Sequence, residues 1–303
     1  MMISCVSCRK SRHRTKENNR PPIHQLIDVN DKLEVSENLQ EKTDGSIIKI
    51  DVIEDFLPKL TKTQDSEILH RAAYVTSYNS STRNPNWVAW HLTREHTDGM
   101  YSRKGVPYYD DCGMPIGIAA FSPEVVRGCY FLDMEAPAPR QEHSDWRKCP
   151  VGIDHGHMCP AADCKWDKGA MNQSFLLTNM CPQNHGLNGG AWDKLENKCR
   201  SWAKRFGDIY IVAGPIFYAG VKATFGDNEI AIPDAFFKVV LCLKGTPKAL
   251  GFIFPNEDAK HDLNHYVTTV DEVEEITGLD FFSSLDDEME DFAESNSNLS
   301  LWE

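Results

Sequence analysis

One run, Asp154-His155-Gly156-His157-Met158-Cys159-Pro160-Ala161-Ala162-Asp163, constrains this chain more than any other. Gly156 and Pro160 break it, so it forms a short segment, with histidines beside a carboxylate. About thirty residues later comes Asn188-Gly189-Gly190-Ala191-Trp192-Asp193-Lys194-Leu195-Glu196. A turn over His185–Gly190 leads into a helix running from about Gly190 to Phe206, with apolar Ala191, Leu195 and Trp202 between charged residues. A histidine able to take a proton, near an amide oxygen and a carboxylate at a helix start, is the make-up of a one-metal hydrolytic site.

The remainder of the chain predicts an α+β fold with a largely antiparallel sheet. Ala72–Tyr78 and Asn86–Thr93 are rich in aromatic and β-branched residues and read as strands, with a turn between them. Ile209–Ala213, Phe236–Leu243 and Leu250–Phe254 are three further strands, each ended by Gly or Pro. Val270–Thr277 reads as a helix with a capping box from Thr269 to Glu272 and a stop at Gly278. Residues 98–150 read as a long surface excursion. Residues 1–65 are expected to be a polar, partly disordered extension, 66–285 the folded domain and 286–303 an acidic tail.

Net charge is −13, which at first argues against a polyanionic partner. Its distribution changes that reading. Residues 271–303 hold twelve Asp and Glu and no Lys or Arg, leaving the first 270 residues almost neutral. Basic stretches remain at Arg9–Arg20 and Lys194–Arg205. The acidic end reads as solvated chain, the rival being a tail that competes with nucleic acid for a basic cleft. No apolar run reaches the ~18 residues a membrane span needs. No secretory signal is visible at Met1, although a start placed downstream of one would look the same.

At its two constraining segments the sequence resembles the DNA/RNA non-specific endonucleases, the ββα-metal (His-Me finger) nucleases. Their signature is Asp-Arg-Gly-His, then Asn-x-x-Pro-Gln, then Leu-Asn-x-Gly-x-Trp-x-x-Leu-Glu. This chain has Asp154-His155-Gly156-His157, then Asn179-Met180-Cys181-Pro182-Gln183, then Leu187-Asn188-Gly189-Gly190-Ala191-Trp192-Asp193-Lys194-Leu195-Glu196. His155 stands where the family has arginine. A looser likeness runs from about Trp87 to Ser284.

The resemblance implies a ββα-metal fold and Mg²⁺-dependent hydrolysis of DNA and RNA to 5′-phosphate products, with Mn²⁺ or another divalent ion able to substitute. It makes His157 the general base, in keeping with an imidazole that titrates near neutral pH. A lone histidine is more often structural. Asn188 becomes the protein's ligand to Mg²⁺, a hard ion that keeps most of its waters; the plain alternative is a helix N-cap. Glu196 lies roughly 12 Å along and about 80° around an ideal helix from Asn188, which suits a hydrogen bond to water at the ion better than joint ligation. Arg200, four residues beyond, can orient Glu196 or reach phosphate, or be an ordinary i,i+4 surface pair. Arg127 is the candidate phosphate contact and Arg140 its rival. Asn179 is expected to support the metal site, and Asp154 to fix its loop through backbone hydrogen bonds. His155 loses a fixed charge and a two-pronged donor, so weaker or acid-shifted activity, or a substitute cation, is expected.

Two other readings remain. The change at His155 allows a weakly active or inactive nucleic-acid binder of the same fold. His157, Cys159, Cys164, Cys181 and His185 could instead supply zinc ligands to an interaction protein, and Cys5-x-x-Cys8 could be half a zinc site. Partners are expected to be DNA and RNA, with no membrane; a homodimer is allowed and any inhibitor is unspecified. A secreted or periplasmic setting is in keeping with the resemblance.

Overall fold

The computed structural model describes residues 53–105, 107–109, 115–118 and 130–303. Residues 1–52 of the expected extension over 1–65, with Cys5 and Cys8, lie outside them, as does Arg127.

Alternating apolar residues build one seven-stranded antiparallel sheet. Its strands are β1 (Glu67–His70), β2 (Val75–Asn79), β3 (Asn84–Thr93), β6 (Asp208–Ile216), β7 (Ala235–Cys242), β8 (Lys248–Pro255) and β9 (Val267–Thr268). They lie in the order β9-β8-β7-β6-β3-β2-β1. Two further strands, β4 (Ile153–His157) and β5 (Met180–Asn184), form a separate antiparallel hairpin. Three helices follow, α1 (Asp193–Phe206), α2 (Val270–Thr277) and α3 (Asp287–Glu294).

Because side chains alternate along a strand, the central strands supply a core to each face. Trp90 and Leu92 of β3, Ile211 of β6 and Phe236 and Val240 of β7 pack with Trp192, Leu195, Cys199 and Trp202 of the helical segment that ends in α1. On the opposite face Trp87, Ala89, Tyr210, Val212, Phe237 and Val239 pack with Val270, Val273, Phe281 and Ala293. Every residue of β7 is buried, Lys238 included. The helix predicted at Val270–Thr277 has those bounds; Thr269 Oγ1 accepts the Glu272 amide, and Gly278 closes it with φ of 71°. A left-handed φ of this kind favours glycine.

The domain edges differ from expectation. Ile53–Phe56 forms a 3-10 turn, and Phe56 packs on Tyr210 with ring centroids 4.2 Å apart. Lys59–Leu60 pairs with Leu279–Asp280. Residues 286–303 are not a solvated tail. Asp286 caps α3, Ala293 is buried, and Trp302 packs 4.8 Å from Trp202. Composition hid this, because a few apolar groups at the right spacing outweigh many exposed carboxylates. The excursion is likewise buried at its end, where Tyr130, Asp133 and Asp145 lie in the interior. Among the described residues, no helix is long and apolar enough to cross a membrane.

Candidate active site

The hairpin and the helix behind it carry the site. In β4–β5, Gly156 faces Cys181 and His157 faces Met180. A Cβ on Gly156 would stand 2.5 Å from Cβ of Gln183, so this close approach needs glycine. Alternation along β4 puts His155 and His157 on one side, Asp154 and Gly156 on the other.

His157 sits against the edge of Phe175, at 5.1 Å and 90° between rings. Its Nε2 is buried with no hydrogen-bond partner. Burial holds its pKa well below the usual histidine range, and the charge of Arg103 and then His155 add to the effect. The imidazole is therefore neutral at pH 7, as a proton acceptor must be. Trp192 Nε1 donates to the His157 carbonyl at 3.3 Å, tying strand to helical segment.

The loop after His157 is clamped by Asn179, which is fully buried. Its Oδ1 accepts the Cys159 amide at 2.9 Å, and its Nδ2 donates to the carbonyls of Cys159 and Ser174, both at 2.8 Å. With its polar atoms committed to backbone, Asn179 supports the loop and is not placed to hold an ion.

Asp154 works through side chains, not the backbone bonds expected of it. Its Oδ2 accepts from Asn188 Nδ2 and from His185 Nδ1, each at 2.9 Å. Asn188 is not an N-cap; Asn184 does that work, its Oδ1 accepting the amides of Gly186 and Leu187. Asn188 instead opens a helical segment to Trp192 that is kinked at Gly190 (φ −110°, ψ −110°), and α1 begins at Asp193. The bond to Asp154 fixes the Asn188 amide, and no described residue donates to its Oδ1.

Glu196, half-buried on the first turn of α1, has no described hydrogen-bond partner. Burial pushes its carboxyl up to about 7, against the opposing pull of Lys238 and Arg200. Arg200 does not bond it. Arg200 donates from Nη1 to Asp163 at 2.9 Å and from Nη2 to Asn197 at 3.0 Å. Asp163 also accepts from Trp90 Nε1 at 3.1 Å. Arg200 thus joins α1 to the loop behind His157 and makes no hydrogen bond to Glu196, although the two charges act on each other.

His155 lies flat between Tyr130, at 4.0 Å, and Trp146, at 3.6 Å. Burial, reinforced by His143, drives its pKa down to about 3. It carries no charge near neutral pH, so mild acid does not restore the missing cation. Arg140 bonds within its own loop, to the Ala136 carbonyl at 2.9 Å and to Met134 Sδ.

Three charged residues escaped the sequence analysis. Arg103 stands 5.0 Å over the Phe175 ring, near enough to His157 to depress its pKa. Asp163 closes the signature loop. Lys238 is fully buried, its Nζ without a hydrogen bond and 4.0 Å from the Trp192 ring centre. Only Lys238 left a trace in sequence, as a lone charge in an apolar strand.

The donors brought together at the hairpin–helix junction are oxygens, Asn188 Oδ1, to which no described residue donates, and the Asp154 carboxylate beside it, with Glu196 following on the first turn of α1. That set fits a hard divalent cation such as Mg²⁺. It does not fit zinc. Cys159, Cys164 and Cys181 are buried free thiols, and the first two lie 3.8 Å apart, Sγ to Sγ. Among the described residues no histidine–cysteine group converges as a metal site.

A ββα hairpin–helix set on an antiparallel sheet, with a neutral histidine and an oxygen-lined junction, defines the class. The profile of the DNA/RNA non-specific endonucleases matches residues 54–288, and the chain belongs to that family. It is 31% identical over 251 residues to the mitochondrial nuclease EXOG of Xenopus laevis, covering 78% of this chain and 63% of that one. It is 33% identical over 235 residues to nuclease C1 of Cunninghamella echinulata var. echinulata, covering 73% and 84%. A solved structure of EndoG in complex with EndoGI matches with a TM-score of 0.62 and 24% identity, over 80% of this chain and 95% of that one. The chain spans 60–64% of the length of the EXOG relatives from frog, human and zebrafish.

Proposed function

We propose that this protein is a hydrolase, a divalent-metal-dependent endonuclease that cleaves phosphodiester bonds in DNA and RNA and leaves 5′-phosphate ends. One observation carries the reading: a neutral imidazole with a buried, unpartnered Nε2, on the strand whose Asp154 fixes Asn188.

His157 accepts the proton of the attacking water. Asn188 Oδ1 would hold Mg²⁺, with Mn²⁺ able to substitute, oriented by its amide bond to Asp154. When bound, the ion polarises the phosphate and stabilises the departing 3′ oxygen. Glu196 positions water beside that junction by accepting its hydrogen bonds. Arg103 meets the phosphate charge in place of the family arginine, with Arg127 as the second candidate. Asn179 and the Asp163–Arg200 pair keep the loop behind His157 from shifting. A water nucleophile makes no use of the 2′-hydroxyl, so one site serves both polymers.

The test is a digestion panel over double-stranded DNA, single-stranded DNA and RNA with Mg²⁺, Mn²⁺ or EDTA. We expect cleavage of all three with either ion, none with EDTA, and a loss of about 10³-fold in His157→Ala. Full activity of that variant would refute the base.

The uncharged His155 favours one rival, a weakly active or inactive nucleic-acid binder. Gel shifts without nicking at high protein concentration would establish it. A homodimer is proposed as the assembly, to be read by light scattering. The mitochondrial EXOG relatives favour an organelle over a secreted or periplasmic setting.

A further inference from the structure

Away from the hairpin, on the other face of the sheet, carboxylates gather without a cation. Asp271 and Glu274 of α2 and Glu294, the last residue of α3, each offer one oxygen, and the three lie within 4.8 Å of one another. Glu294 is 5% exposed, and its Oε1 is buried with no hydrogen-bond partner. Glu274 Oε1 accepts the Phe281 amide at 2.7 Å, which fixes its carboxylate and leaves the second oxygen available. Among the described residues none of the three makes an ion pair. Glu290 and Asp280 add negative charge at Glu294, while Lys59 acts at Glu290.

A buried carboxylate with neither donor nor counter-ion is costly. The geometry suits an ion that removes this cost. Three carboxylates gathered this closely suit Ca²⁺, which takes many oxygen ligands in flexible geometry, better than Mg²⁺, which is usually held by one or two. The carboxylates come from two helices, and Glu294 ends α3, where unpaired backbone carbonyls also favour a cation. Asp271 is exposed, so the site opens to solvent on that side.

We propose that Asp271, Glu274 and Glu294 form a second divalent-cation site, best suited to Ca²⁺, that staples α3 and the C-terminal segment to α2. Its role is structural, and it is independent of the nuclease reading.

The test uses full-length Asn188→Ala, which removes the proposed catalytic ligand, so that remaining binding reports this site. Calorimetric titration with Ca²⁺ alone should show one equivalent bound. At a hundredfold excess over Kd the unfolding midpoint should rise by about 5 °C. Adding Asp271→Asn, a surface change, should weaken binding more than tenfold, and adding Glu294→Gln should abolish the thermal shift. In the otherwise native chain, Asp271→Asn should leave cleavage of plasmid unchanged. No Ca²⁺ bound by Asn188→Ala, or equal binding with and without Asp271→Asn, would overturn the proposal.

Discussion

The two faces of the central sheet handle charge in opposite ways. Beneath α1, cations and anions are buried together: Asp163 with Arg200, and Lys238 near Glu196 between tryptophans. On the face covered by α2 and α3 the core is apolar, and three carboxylates gather at its rim without an ion pair among the described residues. The first face supplies its own counter-charges and can hold a fixed electrostatic arrangement beside His157. The second leaves its three clustered carboxylates unpaired, and the proposed cation would supply the missing charge. Burial is similar on both sides; what differs is whether the sequence provides both signs.

That contrast can be tested where it is largest. Phe281→Ala, which removes a ring packed 5.7 Å from Phe237, should cost roughly 3–5 kcal/mol in chemical denaturation. It should leave cleavage per folded molecule unaltered. Asp163→Ala should cost a similar roughly 3–5 kcal/mol, because it strands a partly buried Arg200 and the Trp90 indole, but it should also lower kcat. If Phe281→Ala hurts turnover as much as Asp163→Ala, the two faces are not separate.

A smaller effect is expected at Arg103. Arg103→Ala should raise KM for DNA or lower kcat/KM about tenfold, the scale of one screened phosphate contact. The penalty should shrink as salt rises. A salt-independent loss would mean that Arg103 acts by packing on Phe175, and would return the phosphate contact to Arg127.

The smallest effect is a null one. His155 has a folded pKa of about 3, below its unfolded value near 6.5. Between these pH values the unfolded chain takes up a proton that the folded one refuses. This residue's contribution to stability is therefore complete above about pH 6.5 and falls as pH drops toward 3. Its NMR ring shifts should stay flat from pH 8 to about 4. A midpoint near 6.5 would show that the stack between Tyr130 and Trp146 opens, and that His155 can supply charge after all.

Residues with a role legible in sequence were those whose spacing carried it. His157, Asn188 and Asn179 stand at signature positions, and the strands Asn86–Thr93 and Phe236–Leu243 announced themselves by composition. Thr269 and Gly278 bounded their helix correctly because capping is local chemistry. Local signals failed wherever the deciding neighbour was far along the chain. Nothing near Arg200 indicates that its partner is Asp163, 37 residues earlier. Nor does the acid-rich end reveal that Trp302 finds Trp202 across 100 positions.

The sequence by itself thus determined the family, the hairpin–helix order of the site and the alternation that makes a two-faced sheet, all set by short-range pattern. Tertiary structure decided which polar groups meet: Asn188 with Asp154, Arg200 with Asp163, Arg103 beside His157, and three carboxylates with one another. The physical reason is that a charge's behaviour depends on what surrounds it within a few ångströms, and in a folded chain those surroundings come from residues far apart in sequence.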